Sequence, residues 1–385
     1  MYRIKALNKI SSKGMERLTS KFTMVEDMEQ AQGVLVRSQD MHDLPVPTGL
    51  LAVARAGAGV NNIPVESYSR QGIVVFNTPG ANANSVKELV LTAILMSSRN
   101  VYNAITWTKT LTTDVAELVE SGKGQFAGHE IKGKTLGVVG LGAIGVMVAN
   151  AAEALGMKIL GYDPYISIKS AHELSSSVEI CEHLDQLLPR CDYVTIHVPF
   201  KENTKELING ARLDLMKKDS CILNFSRDQI VHDQDMLAAL AAGKIRRYIT
   251  DFPSEALIGH EGVVCIPHLG ASTKESEDNC AVMAVEQLMD YLENGNISNS
   301  VNFPSCDLGT ASTLGRIAVM NLNVPSMLGK ITGILADRNV NISDLLNRSK
   351  GDYAYTLIDV DSHVDEKEIK EALKMEGIIS VRVIR

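Results

Sequence analysis

No Cys-x-x-Cys pair occurs in this 385-residue sequence, and its six cysteines (Cys181, Cys191, Cys221, Cys265, Cys280 and Cys306) are scattered, several inside apolar runs. Cysteines so placed behave as small hydrophobes, so neither a disulfide framework nor a zinc site is expected. Apolar runs such as Glu88–Ser97 break well short of the roughly 20 residues that a membrane span needs. The opening stretch MYRIKALNKISSKG lacks the apolar centre of a secretory signal. No Lys/Arg block is long enough to follow a nucleic-acid backbone, and the formal net charge is −8. These absences leave a soluble, cytoplasmic protein as the expectation, with neither a membrane nor nucleic acid as partner.

With 45 % hydrophobic residues, 385 positions are too many for one ordinary core. At roughly 100–200 residues per domain, two or three domains are expected. From Lys5 to Phe76, β-rich runs (GVLVRS at 33–38, LLAVARAG at 50–57, GIVVFNTPG at 72–80) alternate with helical stretches, the rhythm of parallel strands joined by helices. A helix follows through Met96, with Asn84 or Ser85 as its N-cap. Gly122–Thr135, rich in Gly and Lys, reads as a crossing between domains. A second α/β series then offers six apolar strands, which fits a doubly wound nucleotide domain. Ser276–Glu293 reads as one long helix and the polar Asn294–Pro304 as a linker. Beyond it, runs between Arg316 and Arg385 follow a β-α-β-β-α-β order, the ferredoxin-like pattern.

Chemistry concentrates at the ends of the second series of strands. Gly140-x-Gly142-x-x-Gly145 follows a predicted strand and opens a helix, with Ala143 and Ile144 in the helix's first turn. Such glycines serve a tight turn, close backbone approach to a pyrophosphate and helix-on-strand packing, while the helix N-terminus supplies oriented N–H groups. The next strand ends at Asp163, 18 residues past Gly145, where a carboxylate accepts both ribose hydroxyls; with no arginine beside it, NAD is favoured over NADP. Arg227 in ILNFSRDQIV stands just past a strand, where a guanidinium suits a planar carboxylate, although a surface ion pair is the plain alternative. The next two strands lead to Glu255 and to His268 in VVCIPHLGAST. A lone loop histidine is ordinarily solvated; Arg, Glu and His at three successive strand ends together point to acid–base work.

These motifs resemble the NAD-dependent D-2-hydroxyacid dehydrogenases, and among them the branch that acts on 3-phosphoglycerate. The likeness spans nearly the whole chain. It implies two Rossmann-like parallel-sheet domains, with residues 1–98 and 275–305 as the substrate-binding domain and 99–274 as the NAD domain. Residues 314–385 are then a ferredoxin-like, ACT-like regulatory unit, removable after Pro304. The resemblance makes His268 the general acid/base, Glu255 its orienting carboxylate and Arg227 the clamp on substrate carboxylate and carbonyl. It adds Val198, Pro199, Phe225, Ser226, Asp251 and Gly270 to the NAD site. Arg55, Ala56 and Gly57 of RAGAGVNNI, with Asn82 and Ser85 of NTPGANANSVKE, match substrate-side positions, and Arg37 with Arg55 matches those meeting a substrate phosphate. Copies are expected to pair through the NAD domain as a homodimer or homotetramer.

Departures accompany the likeness. The family's Gly after the catalytic arginine is Asp228 here, which puts that loop's geometry in question. The family's nicotinamide-contacting Asp falls at Thr250 by strict register, with Asp251 preferred. Glu261 rivals Glu255. In the C-terminal unit, Asn321, Asn323 and Asn341 match positions that bind L-serine in this branch, but Ser326 replaces a glycine and Asn321 a histidine; turn formation is the plain role of such asparagines. A glyoxylate or hydroxypyruvate reductase and a non-catalytic NAD sensor are the rival functions.

Overall fold

A computed structural model describes residues 1–384. The chain divides into two compact units, Met1–Asn82 with everything from Lys274 onward, and Ala83–Thr273. Among the described residues no helix is long and apolar enough to cross a membrane.

The first unit opens with strands β1 (Tyr2–Ala6), β2 (Phe22–Met24), β3 (Gly33–Val36), β4 (Ala52–Arg55) and β5 (Val74–Phe76). All neighbours are parallel, in the order β2-β1-β3-β4-β5. Runs such as GVLV and VVF are buried along their whole length, as a parallel sheet covered on both faces requires. The helix Lys274–Asn294 covers one face: its Ala281, Ala284, Val285 and Leu288 share a core with Ile4, Leu35, Ala54 and Phe76.

The same unit carries β13 (Gly315–Leu322), β14 (Ile342–Lys350), β15 (Tyr353–Val360) and β16 (Ile378–Val383), an antiparallel sheet in the order β14-β15-β13-β16 with helices Met327–Ala336 and Glu366–Ala372. This is the expected β-α-β-β-α-β order, and the sheet shares a hydrophobic core with the rest of the first unit. Ala318, Met320, Tyr355 and Leu357 of its sheet join the core that contains Tyr291, Leu292 and Phe303. Asn294–Pro304 is likewise no loose linker. Asn302 is buried, its Oδ1 accepts from Val75 N–H (2.9 Å), and its Nδ2 donates to Ile73 O (2.9 Å) and Ser69 Oγ (3.1 Å). The polar side chains of this stretch satisfy backbone groups at the edge of the first sheet, which is why composition alone reads as a loop.

The second unit is built on β6 (Thr135–Val139), β7 (Lys158–Tyr162), β8 (Glu179–Ile180), β9 (Tyr193–Ile196), β10 (Ser220–Asn224), β11 (Ile245–Thr250) and β12 (Val263–Cys265). Their order, β12-β11-β10-β9-β6-β7-β8, reverses direction between β6 and β9, and the carboxyl edge at such a reversal is where open α/β sheets take ligands. Six strands were expected; the seventh, β8, is two exposed residues with no apolar signature. Helix Ala83–Arg99 belongs to this unit, since Val86, Val90, Ala93 and Ile94 pack with Leu136, Val138, Val146 and Ile249. The first boundary therefore falls after Asn82 rather than after residue 98, and Gly122–Thr135 lies inside the unit rather than between domains. Gly128 has a local reason, as a Cβ there would stand 2.0 Å from Ser98 O. Helices Val101–Thr108 and Val115–Gly122 bury no residue.

Candidate active site

The glycine fingerprint sits at the carboxyl end of β6, and its glycines answer different demands. Gly140 has φ +95°, and a Cβ there would lie 2.6 Å from His197 O. A Cβ at Gly145 would meet Gly140 O at 1.9 Å. At Gly142, nothing lies within 4 Å of the same construction. No protein atom requires that glycine, so its bare backbone leaves room for a group the chain does not supply. Gly142 caps helix Ala143–Ala154 without a side-chain hydrogen bond, and the N–H groups of Ala143, Ile144 and Gly145 have no partner within the helix. An oxyanion fits this position. Asp163 is fixed beside the loop, accepting from Leu141 N–H and Tyr165 N–H at 2.8 Å each. His197, absent from the sequence reading, donates its N–H to Val139 O (2.7 Å) and so holds Val198 and Pro199 against the loop. Burial pushes its imidazole down to about 3, and Thr195 Oγ1 lies 2.9 Å from Nε2. Phe225 and Ser226 turn inward: Phe225 joins the core, and Ser226 Oγ donates to Ile196 O (2.9 Å).

Arg227 leaves β10 in an extended conformation, exposed, with Nη1 donating to Ser226 O (2.6 Å). Asp228 opens a 3-10 turn and has no left-handed φ, so the geometry here does not call for glycine. Thr250, the last residue of β11, is fully buried, and its Oγ1 accepts from Phe252 N–H (3.1 Å). Asp251, 1 % exposed, accepts from Gly270 N–H through Oδ2 (3.2 Å), while Oδ1 has no partner among the described residues. Burial raises its carboxyl pKa; the charge of His268, the Gly270 hydrogen bond and the charge of Arg227 oppose the rise. Arg227 and His268 thus both lie within electrostatic reach of Asp251, at neighbouring strand ends. The unpaired Oδ1 and the bare Gly142 backbone are the two features that fit a dinucleotide: one offers a carboxamide acceptor, the other a phosphate seat.

His268 is exposed, and its imidazole stacks obliquely on Phe252, ring centroids 4.6 Å apart and planes at 56°. Among the described residues no hydrogen bond or ion pair joins Glu255 to His268; Glu255 and Glu261 are both exposed. The sequence reading missed Phe252, whose only signal was its place directly after Asp251. Gly270 is buried, and its carbonyl accepts from Ser85 Oγ (2.8 Å), so Ser85 is spent inside this unit instead of facing substrate.

In the first unit, Arg37 and Arg55 stand at the carboxyl ends of β3 and β4. Arg37 Nη2 donates to Glu277 Oε1 (2.7 Å), and Arg55 donates to Arg37 O through Nε (3.0 Å) and to Gly59 O through Nη1 (2.6 Å). Ala56 is buried, Gly57 N–H donates to Arg55 O (2.9 Å), and Asn82 is half-buried at the unit's edge. In the C-terminal sheet Asn323 Nδ2 donates to Gly351 O (3.1 Å) and Asn341 Nδ2 to Asp361 Oδ2 (2.7 Å), each bond tying together two connections of the sheet. Asn321 is 2 % exposed; Nδ2 donates to Leu322 O (2.7 Å), and Oδ1 has no partner among the described residues.

Residues 91–270 match the family described as D-isomer specific 2-hydroxyacid dehydrogenase, NAD binding domain. The chain is 33 % identical over 352 residues to D-3-phosphoglycerate dehydrogenase of Methanocaldococcus jannaschii, covering 89 % of this chain and 64 % of that protein. It is 32 % identical over 346 residues to the Haemophilus influenzae protein of the same name, covering 87 % and 81 %. The NAD+-bound 3-phosphoglycerate dehydrogenase of Entamoeba histolytica superposes with TM-score 0.61 at 26 % identity, covering 78 % of this chain and 98 % of that one. The chain thus spans less than two thirds of the length of the archaeal relative and most of the bacterial one. It belongs to the D-isomer specific 2-hydroxyacid dehydrogenase family.

Proposed function

We propose that the protein is a cytoplasmic, NAD-dependent dehydrogenase that oxidises 3-phospho-D-glycerate to 3-phosphohydroxypyruvate, the entry to L-serine synthesis. The observation that carries the reading is the set Arg227, Asp251 and His268 at adjacent strand ends of a sheet whose fingerprint leaves Gly142 bare. The likeness to D-3-phosphoglycerate dehydrogenases across most of the chain selects the substrate.

Bound NAD would supply the acceptor for the hydride of substrate C2. His268 takes the C2 hydroxyl proton in oxidation and returns it in reduction, so its exposure toward the carboxyl edge is a requirement of the role. Arg227 aligns the substrate carboxylate and draws charge from the carbonyl in the reverse direction. With NAD bound, the N–H groups of Ala143 to Gly145 would hold a phosphate, Asp163 would take the ribose hydroxyls, and Asp251 Oδ1 would accept from a carboxamide. Glu255 would orient His268 after the loop closes, since no bond joins them here. Arg37 and Arg55 receive the substrate phosphate: the Arg37–Glu277 pair is half-exposed on both sides, worth about 0–1 kcal/mol, and a dianionic phosphate displaces it.

Two further parts of the reading have their own support. The exposed apolar side chains Val101, Tyr102, Ile105, Val115 and Leu118, on helices that bury nothing, suit pairing of copies as a homodimer or homotetramer. The unpaired Asn321 Oδ1, near a helix whose N-cap Ser326 makes no capping bond, suits L-serine as an effector of an ACT-like unit.

The test is an NAD(H) absorbance assay in both directions with 3-phosphoglycerate and phosphohydroxypyruvate against glycerate, glyoxylate and hydroxypyruvate, with and without L-serine. A kcat/KM at least tenfold higher for the phosphorylated pair is expected. Preference for glyoxylate or hydroxypyruvate would return Arg37 and Arg55 to structural duty, and no turnover with any of them would leave an NAD sensor.

A further inference from the structure

We propose that Phe252 is a positioning residue for His268, holding the imidazole at the strand end and favouring the cation it becomes on accepting the substrate proton. The proposal rests on the dehydrogenase reading above. A base must be held by something, and the carboxylate expected to hold this one makes no bond to it. What touches the imidazole is a phenyl ring, 4.6 Å between centroids at 56°. Both partners are anchored from behind. Phe252 N–H donates to Thr250 Oγ1 (3.1 Å), and the strand leading to His268 is tied by Ile266 N–H to Thr250 O (2.9 Å). One residue, Thr250, therefore sets the spacing between ring and imidazole.

An aromatic face within about 6 Å attracts a cation, and the 4.6 Å between the two centroids lies inside that range. The charged groups around the pair are Asp251, directly before Phe252, and Arg227 from the end of β10. Both stay in place when Phe252 is changed. The ring's share is separable for that reason.

The experiment compares Phe252→Leu and Phe252→Tyr with the wild-type full chain. By NMR, the His268 imidazole, assigned by its disappearance in His268→Ala, should titrate about half a pH unit lower in F252L and near wild type in F252Y, since only the leucine lacks a π face. In kinetics, the acid limb of kcat for oxidation and the alkaline limb for reduction should both move down by that amount in F252L, because oxidation needs the neutral base and reduction the cation. Should F252L fail to fold, Phe252→Met takes its place. Identical titration in all variants, or a uniform loss of kcat at every pH, overturns the proposal. The titration needs no turnover, so its failure is distinct from failure of the dehydrogenase reading, which the wild-type assay alone decides.

Discussion

Arg316, within a strand, and Arg227, just beyond one, receive opposite treatment. Arg316, at the start of β13, is fully buried. Its Nε and Nη2 donate to Asp359 at 2.5 and 2.7 Å, and its remaining N–H groups reach the carbonyls of Asn294, Leu308 and Gly309 at 3.1, 3.2 and 2.7 Å. Every donor is used, and the acceptors lie at the end of the long helix, in the segment that follows it and in the C-terminal sheet. Arg227 is exposed and gives one hydrogen bond, to the carbonyl beside it. A guanidinium with all its donors spent locks elements together, whereas one with donors to spare at a strand end is available to a ligand.

The comparison is tested most severely by removing residues after Pro304. If the C-terminal sheet is part of the first unit's core, the truncated chain should lose the first unit's cooperative unfolding transition in circular dichroism while the second unit keeps its own, instead of leaving a folded enzyme without regulation. A step smaller, Arg316→Leu strands Asp359 in the core and should cost about 3–5 kcal/mol, lowering the midpoint of thermal unfolding by roughly 10 °C. Arg227→Leu should leave that midpoint within about 2 °C while cutting kcat/KM by about 100-fold or more, and equal thermal losses for the two would erase the distinction. The smallest effect belongs to Asp251. Burial raises its carboxyl pKa in the folded state, so the stability linked to its proton is fully present below the unfolded value and is lost as pH rises through the folded one. Asp251→Asn should therefore raise the midpoint at pH 7 by about 2–4 °C, with the gain closing as pH falls toward 4. A gain that persists at pH 4 would mean that charge is not the cause.

Much of this was legible from the sequence wherever the requirement is local. Gly140 and Gly145 announce themselves because one takes a left-handed φ and a Cβ at the other collides within the same turn, and Arg227, Asp251 and His268 because each follows an apolar strand. The order of elements in the C-terminal sheet follows from alternating runs. What escaped depends on tertiary placement. Nothing at Asn302 signals that its amide replaces a neighbouring strand for Val75 and Ile73. The apolar stripe of helix Ala83–Arg99 shows that it is buried without saying against which sheet. The Phe252–His268 contact needs two loops to meet, and the missing Glu255 bond needs them to meet differently.

The division of the first unit into two stretches of chain also bears on how the protein is made. Helix Lys274–Asn294, which covers the first sheet, leaves the ribosome about 190 residues after Asn82. At about 5–20 residues per second, the five parallel strands wait on the order of 10–40 s for their cover, while the intervening unit folds on its own. The apolar face of β1 to β5 is exposed throughout that interval. Chaperone demand, and the harm done by slow codons or by premature termination anywhere after residue 82, should track that wait more closely than the stability of the finished protein.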